Sequence, residues 1–154
     1  MKDLFKPIPD GLILVITVGN SFRSDDGVGP YISANAVALL PGIAVLNAGD
    51  KPENIIDKAV ELKPARTIII DAADFGGSAG EIRLLPVEMI PSTTLSTHTF
   101  PLPVVAKVIA EDTGSEIFFV GIQAKGMDFG EGLSDEVKAA AEFVLKCISV
   151  SHES

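Results

Sequence analysis

Five short apolar runs, Leu12 to Val18, Ile43 to Leu46, Thr67 to Ile70, Ile82 to Leu85 and Ile117 to Ile122, are rich in β-branched residues, and helix-length segments separate most of them. Runs of this kind predict strands buried on both faces. Their alternation with helical segments predicts a three-layer α/β/α fold with a mainly parallel, twisted central sheet flanked by helices. The first helix is predicted to start near Gly27 to Pro30 and run to Leu40. Pro30 suits a first helical turn, Asp25 and Asp26 sit at the positive end of the helix dipole, and Pro41-Gly42 stops it. A short second helix is expected over Glu53 to Leu62, ending before Pro64. Pro101 and Pro103 mark the start of a third, with Val104, Val105, Val108 and Ile109 facing inward. In the last helix Ser134 is the cap, Asp135 and Glu136 follow in the first turn, and Val137, Ala141, Val144, Leu145 and Ile148 repeat at core-facing spacing. Ser149 to Ser154 is expected to fray, and His152 with it.

The chain has 154 residues, a length that fits a single domain over 1–154 and buries roughly 70% of its unfolded surface. A formal charge of -9 argues against nonspecific binding to nucleic acid or insertion at an anionic membrane, so a macromolecular partner is expected to be a protein. Cys147 is the single cysteine, which excludes an internal disulfide and a cysteine-based zinc site. It falls within the last helix with no histidine beside it in sequence, and reads as a passive small side chain. Met1 to Gly11 lacks a secretory pattern and the apolar run after it is too short to span a bilayer, so a cytoplasmic location is expected.

Chemistry concentrates in three places. Gly19 to Gly29 reads GNSFRSDDGVG, a polar, glycine-punctuated loop directly after the first apolar run. Its spacing is not GxGxxG and no GK[ST] follows, so neither a dinucleotide nor a triphosphate site is supported, and two aspartates would repel a phosphate. A helix cap needs only one of the two carboxylates, which leaves the other without that role. Asp71 follows Ile68-Ile69-Ile70 and is placed at or just past the carboxyl end of a buried strand, on the same edge as the first loop if the strands are parallel. Asp74 is the second candidate there, and either aspartate could simply form a turn. His98, in Ser96-Thr97-His98-Thr99, is the sole histidine outside the tail, and could equally be a hydrogen-bonded loop residue. Two carboxylates and one imidazole match a borderline divalent cation such as nickel or zinc, with positions left for ligands from a partner. HExxH is absent, and no nucleophile-elbow pattern surrounds Ser21, Ser24 or Ser96. The loop Gly121 to Gly132 and the loop after Asp71 either wall a cleft or only turn the chain.

Several segments in the same order resemble the nickel-iron hydrogenase maturation endopeptidases: Gly19 to Pro30, Lys51 to Asn54 (KPEN), IIIDAADFG with the later GEIR, STHTFPL around His98, and GIQ followed by DFGEGLSDEV. The resemblance is nearest to the type serving formate-hydrogenlyase and related membrane-bound hydrogenases. It implies an aspartyl-type endopeptidase that removes a C-terminal extension from the precursor of the hydrogenase large subunit. It carries both the catalytic and the metal-contacting roles onto Asp26, Asp71 and His98, leaving Asp25 as a capping neighbour. It also implies that nickel is supplied by the precursor rather than held as a resident cofactor. Two positions depart from the family pattern. Asn47 stands where an aspartate is common, so a hydrogen bond is the most it can offer. Ala124 follows GIQ where proline is frequent, which is expected to loosen that loop. A non-cleaving, metal-dependent chaperone for the precursor, and a small-molecule hydrolase with its own metal, are the competing classes.

Overall fold

The computed structural model describes residues 1–86, 89–90, 101–126 and 130–150. Among these, every apolar run is a strand: β1 Ile13–Val18, β2 Ile43–Gly49, β3 Arg66–Ala73, β4 Ile82–Leu85 and β5 Glu116–Gln123. They form one sheet in the order β2-β1-β3-β5-β4, parallel throughout except for β4, which runs antiparallel to β5 at one edge. Helices among the described residues include α1 Val28–Ala34, α2 Ile56–Leu62, α3 Leu102–Thr113 and α4 Asp135–Ile148.

Strand alternation sorts the core into two layers of apolar contact. Ile13, Val15, Ile68, Ile70 and Ala72 pack with Val28 and Ile32 of α1 and with Val137, Ala141 and Val144 of α4. On the opposite face, Leu14, Ile16, Val18, Ile69 and Ala73 pack with Ala59 of α2 and with Val105 and Ile109 of α3. This is the expected three-layer arrangement. The chain leaves β1 through α1 towards β2, whereas it leaves β3 towards the β4 and β5 side. The carboxyl ends of β1 and β3 therefore flank the point where connections diverge, the place where open α/β sheets keep a crevice.

Four expectations are corrected. α1 ends at Ala34, six residues before Leu40, because the following segment is drawn to the far end of the chain. Leu40 N donates to Ile148 O at 2.8 Å, Val150 N donates to Ala38 O at 2.7 Å, and Leu39 bridges Ser149. Those same bonds hold Ser149 and Val150 in place, so the fraying predicted from Ser149 does not begin there; Ser151 to Ser154, with His152, lie outside the described residues. In α3 the inward side is made by Leu102, Val105, Ala106 and Ile109, while Val104 is exposed. β3 continues through Asp71 to Ala73, since Asp71, Ala72 and Ala73 pair with Gly121, Ile122 and Gln123, so Asp71 lies inside the strand. Among the described residues no helix is long and apolar enough to cross a membrane.

Candidate active site at the carboxyl edge of the sheet

The loop after β1 folds back so tightly that two of its positions have no room for a side chain. At Gly19, with φ +147°, an added Cβ would stand 1.9 Å from the Asp26 carbonyl oxygen, and at Gly29 it would stand 2.4 Å from the Val18 carbonyl oxygen. The glycines thus let the first turn of α1 lie against the end of β1. Asn20 closes the loop from inside. Its N–H donates to both the Oδ2 and the carbonyl oxygen of Asp26, each at 3.1 Å, while its own Oδ1 accepts from Phe22 N at 2.9 Å. Asp25 and Asp26 sit in a single 3-10 turn, Ser24–Gly27, which packs against β3.

Asp26 and Asp71 are both buried, at 1% and 0% exposure. Asp71 alternates with Ile69 and Ala73, which places its side chain on the α2 and α3 face of the sheet. Its Oδ1 accepts from Ala72 N at 2.8 Å. Directly across on β5 stands Gly121, which has no side chain. The structure therefore brings Asp26 and Asp71 to the same sheet edge, one on the turn after β1 and the other on β3. His98 and Ser96, the remaining segment of the predicted site, lie outside the described residues. Among the described residues no group of three or more histidine, cysteine, aspartate or glutamate side chains gathers into a metal site.

Neither aspartate caps α1, whose N-cap is Gly27 with no side-chain bond. Asp25 has a different task that the sequence reading missed. Its buried carboxylate accepts from Lys125 N at 2.7 Å, Gly126 N at 3.1 Å, Ser134 N at 2.7 Å and Ser134 Oγ at 2.9 Å. Ser134 is the N-cap residue of α4 as expected, but its hydroxyl serves Asp25 rather than the helix's own amides. Backbone bonds extend the clamp: Ser24 N to Gly130 O at 2.9 Å, Gly130 N to Phe22 O at 2.9 Å, and Asp25 N to Gly126 O at 3.1 Å. The sequence signal was the doubled aspartate, one of which had no cap to make. Its partner segment, about 100 positions away, gave no sign.

Between this loop and the start of α4 lies a cavity of about 430 Å³, lined by Ser21, Ser24, Gly27, Tyr31, Leu133 and Lys138 among others. Glu131 and Gly132, at the end of the loop Gly121 to Gly132, supply part of its wall together with Leu133. The loop after Asp71 does not line this cavity and is fixed by other bonds. Gln123 Oε1 accepts from Phe75 N at 3.0 Å and Gly77 N at 3.1 Å. The exposed Asp74 accepts from Gly76 N at 3.1 Å and Gln123 Nε2 at 3.2 Å, which makes it a turn-former.

The two departures from the family pattern have local explanations. Asn47 Oδ1 accepts from Thr17 Oγ1 at 3.1 Å and Gly49 N at 3.0 Å where the β1 and β2 register shifts, so an amide oxygen does the structural work. Ala124 N donates to Ala73 O at 3.1 Å, a bond proline could not make, and the loop is fastened there rather than loosened. Lys125 pairs with Glu136 at 3.0 Å, and that carboxylate raises the ammonium pKa. Cys147 is buried in α4, where desolvation pushes its thiol up, as a passive side chain requires.

Known proteins are similar to this chain in sequence and fold. The hydrogenase maturation protease family HycI matches residues 34–150. The chain is 36% identical over 133 residues, 85% of each sequence, to the hydrogenase 3 maturation protease of Escherichia coli strain K12. The crystal structure of a [NiFe] hydrogenase maturation protease HycI from Thermococcus kodakarensis superposes with a TM-score of 0.79 at 32% identity, covering 94% of this chain and 93% of that one. The solution structure of the Escherichia coli endopeptidase HycI gives a TM-score of 0.79 at 34% identity, covering 88% and 87%. With a family match over most of its length and a relative above 30% identity, the chain belongs to the hydrogenase maturation protease family.

Proposed function

We propose that this protease removes the C-terminal extension from the nickel-loaded precursor of a nickel-iron hydrogenase large subunit, with Asp26, Asp71 and His98 as the groups that approach the metal and carry the cut. The observation that carries this reading is the pair of buried carboxylates at one sheet edge, in a chain of this family. Neither is needed to cap α1, and Asp71 is fully enclosed between Ile69 and Ala73 of β3. Buried ionisable groups brought to one sheet edge are where reactive sites are looked for first.

Nickel enters here as part of the substrate. Two carboxylates and an imidazole suit a borderline divalent cation whose remaining positions are filled by the precursor. Docking through the metal fixes the scissile peptide beside the site, so much of the rate comes from positioning. In the cut, water adds to the peptide carbonyl, the C–N bond breaks, and the proton ends on the leaving amine. The setting that fits is the cytoplasm, a compartment compatible with one buried free cysteine.

The test is a cleavage assay on the metal-loaded precursor with Asp26→Asn, Asp71→Asn and His98→Ala. Each should lose cleavage by about a thousandfold or more while the protein stays folded. A variant set that traps intact precursor as tightly as the wild type, with the wild type also failing to cut, would favour the chaperone reading.

A further inference from the structure

The GEIR stretch, which ends at Arg83, has no role in the reading above. Arg83 lies on β4 opposite Gly121 of β5, and Asp71 of β3 lies opposite the same glycine from the other side. Residues paired directly across strands point to one face of a sheet. The Asp71 and Arg83 side chains therefore share the α2 and α3 face, with only a glycine between them in the sheet. Two strand spacings separate them, about 10 Å between Cα atoms. Phe75 lies over the gap, its Cε1 3.6 Å from where a Gly121 Cβ would stand.

The Arg83 guanidinium is held from two sides. Its Cζ stacks 4.6 Å from the centroid of the Phe75 ring, and its Nε donates to Glu81 Oε2. Both supports are themselves fastened, since Phe75 N donates to Gln123 Oε1 at 3.0 Å and Ser78 N donates to Glu81 Oε1 at 3.2 Å. β4 is an edge strand, where a charge discourages pairing with another sheet, but that purpose needs no fixed direction. Among the described residues Nη1 and Nη2 meet no hydrogen-bond partner, and the side chain is 50% exposed. An oriented guanidinium with both terminal nitrogens unused is a fork that matches a carboxylate. The substrate proposed above is a peptide, and the oxyanion a peptide offers is a carboxylate. An extended peptide covers the distance from Asp71 to Arg83 in about three residues.

We propose that Arg83 is a specificity-determining residue for the precursor: Nη1 and Nη2 bind the side-chain carboxylate of an aspartate or glutamate about three residues from the scissile bond. The proposal rests on Asp71 being a site residue, as read above. Arg83 touches the substrate away from the reacting atoms.

Arg83→Met tests it on the nickel-loaded precursor. KM should rise about 10- to 100-fold with kcat held within about threefold, the signature of lost substrate binding. Melting should fall by less than about 4 °C, because the Glu81 pair is a surface pair. Each aspartate and glutamate of the precursor within about five residues of the cut is then replaced by its amide. One replacement should raise KM for the wild type as much as Arg83→Met does, and should add nothing further in Arg83→Met. Arginine at that precursor position should restore binding to Arg83→Glu, a rescue that a purely structural loss would not show. A second readout needs no cleavage: calorimetry of the intact precursor with Asp71→Asn should give a Kd that rises by a similar factor when Arg83→Met is added. Equal affinities, no binding by either protein, no acidic position that couples to Arg83, or a loss confined to kcat would each overturn the proposal. Should the wild type cleave no precursor, the proposed function fails, and the two affinities still decide the role of Arg83.

Discussion

Gly19 has no side chain because the Asp26 carbonyl oxygen occupies the space where one would stand, 1.9 Å from an ideal Cβ. Gly19→Ala should therefore displace the Asp26 turn, destabilise the protein by about 3 kcal/mol and reduce cleavage more than its fall in Tm explains. Thermal melting and cleavage rates on the same preparation check this, and an alanine variant with wild-type activity would show that the turn tolerates movement. Cys147 supplies a contrast. Burial raises its thiol pKa, so the native protein should resist alkylation at neutral pH and react readily once denatured, as mass analysis after iodoacetamide treatment would show. Asp71 was legible in the sequence because a carboxylate directly after Ile68-Ile69-Ile70 conflicts with its surroundings, and Asp26 because a helix start needs only one of two adjacent carboxylates. The role of Asp25 was not legible, since a carboxylate that accepts four bonds from a segment about 100 positions away looks, in one dimension, like any helix-start aspartate.

Among the elements, strands were read well and helix ends less well. The central runs became β1 and β3, enclosed on both faces and therefore mostly apolar, whereas the edge runs became β2 and β4 with some positions exposed. The end of α1 was misplaced because Leu39 and Leu40 continue a helical pattern while their backbone is claimed by Ser149 and Ile148. No local signal reports such a competitor. The clamp between the first loop and the start of α4 is likewise a tertiary element, and it sets how the cavity near Asp26 is walled. Asp25→Ala leaves four donors without their acceptor and should cost about 3 kcal/mol or more, a fall in Tm of about 10 °C. Ser134→Ala removes one hydroxyl and leaves the amide bond in place, so its cost should be about 1 kcal/mol. Equal losses for the two variants would mean that Asp25 is not the centre of the clamp.

For the molecule as a whole, sheet order explains why residues far apart in sequence share one edge. The connections from β1 and β3 diverge, and the parallel strands bring the turn of Asp26 and the strand of Asp71 to the same side. Strand alternation predicted a parallel sheet but not the order of its strands, and so could say that the carboxylates shared an edge without saying which strands lay between them. A protease that borrows its metal from the substrate should hold no stoichiometric nickel or zinc after purification, and elemental analysis of the isolated protein would reveal it if it did. The most direct test follows intact mass of the large-subunit precursor, prepared with and without nickel, after incubation with the wild type and with His98→Ala. The expected result is loss of one C-terminal peptide, only from the nickel-loaded precursor and only with the wild type. Cleavage of the nickel-free precursor, or equal cleavage by His98→Ala, would contradict a nickel-gated cut made by this set of residues.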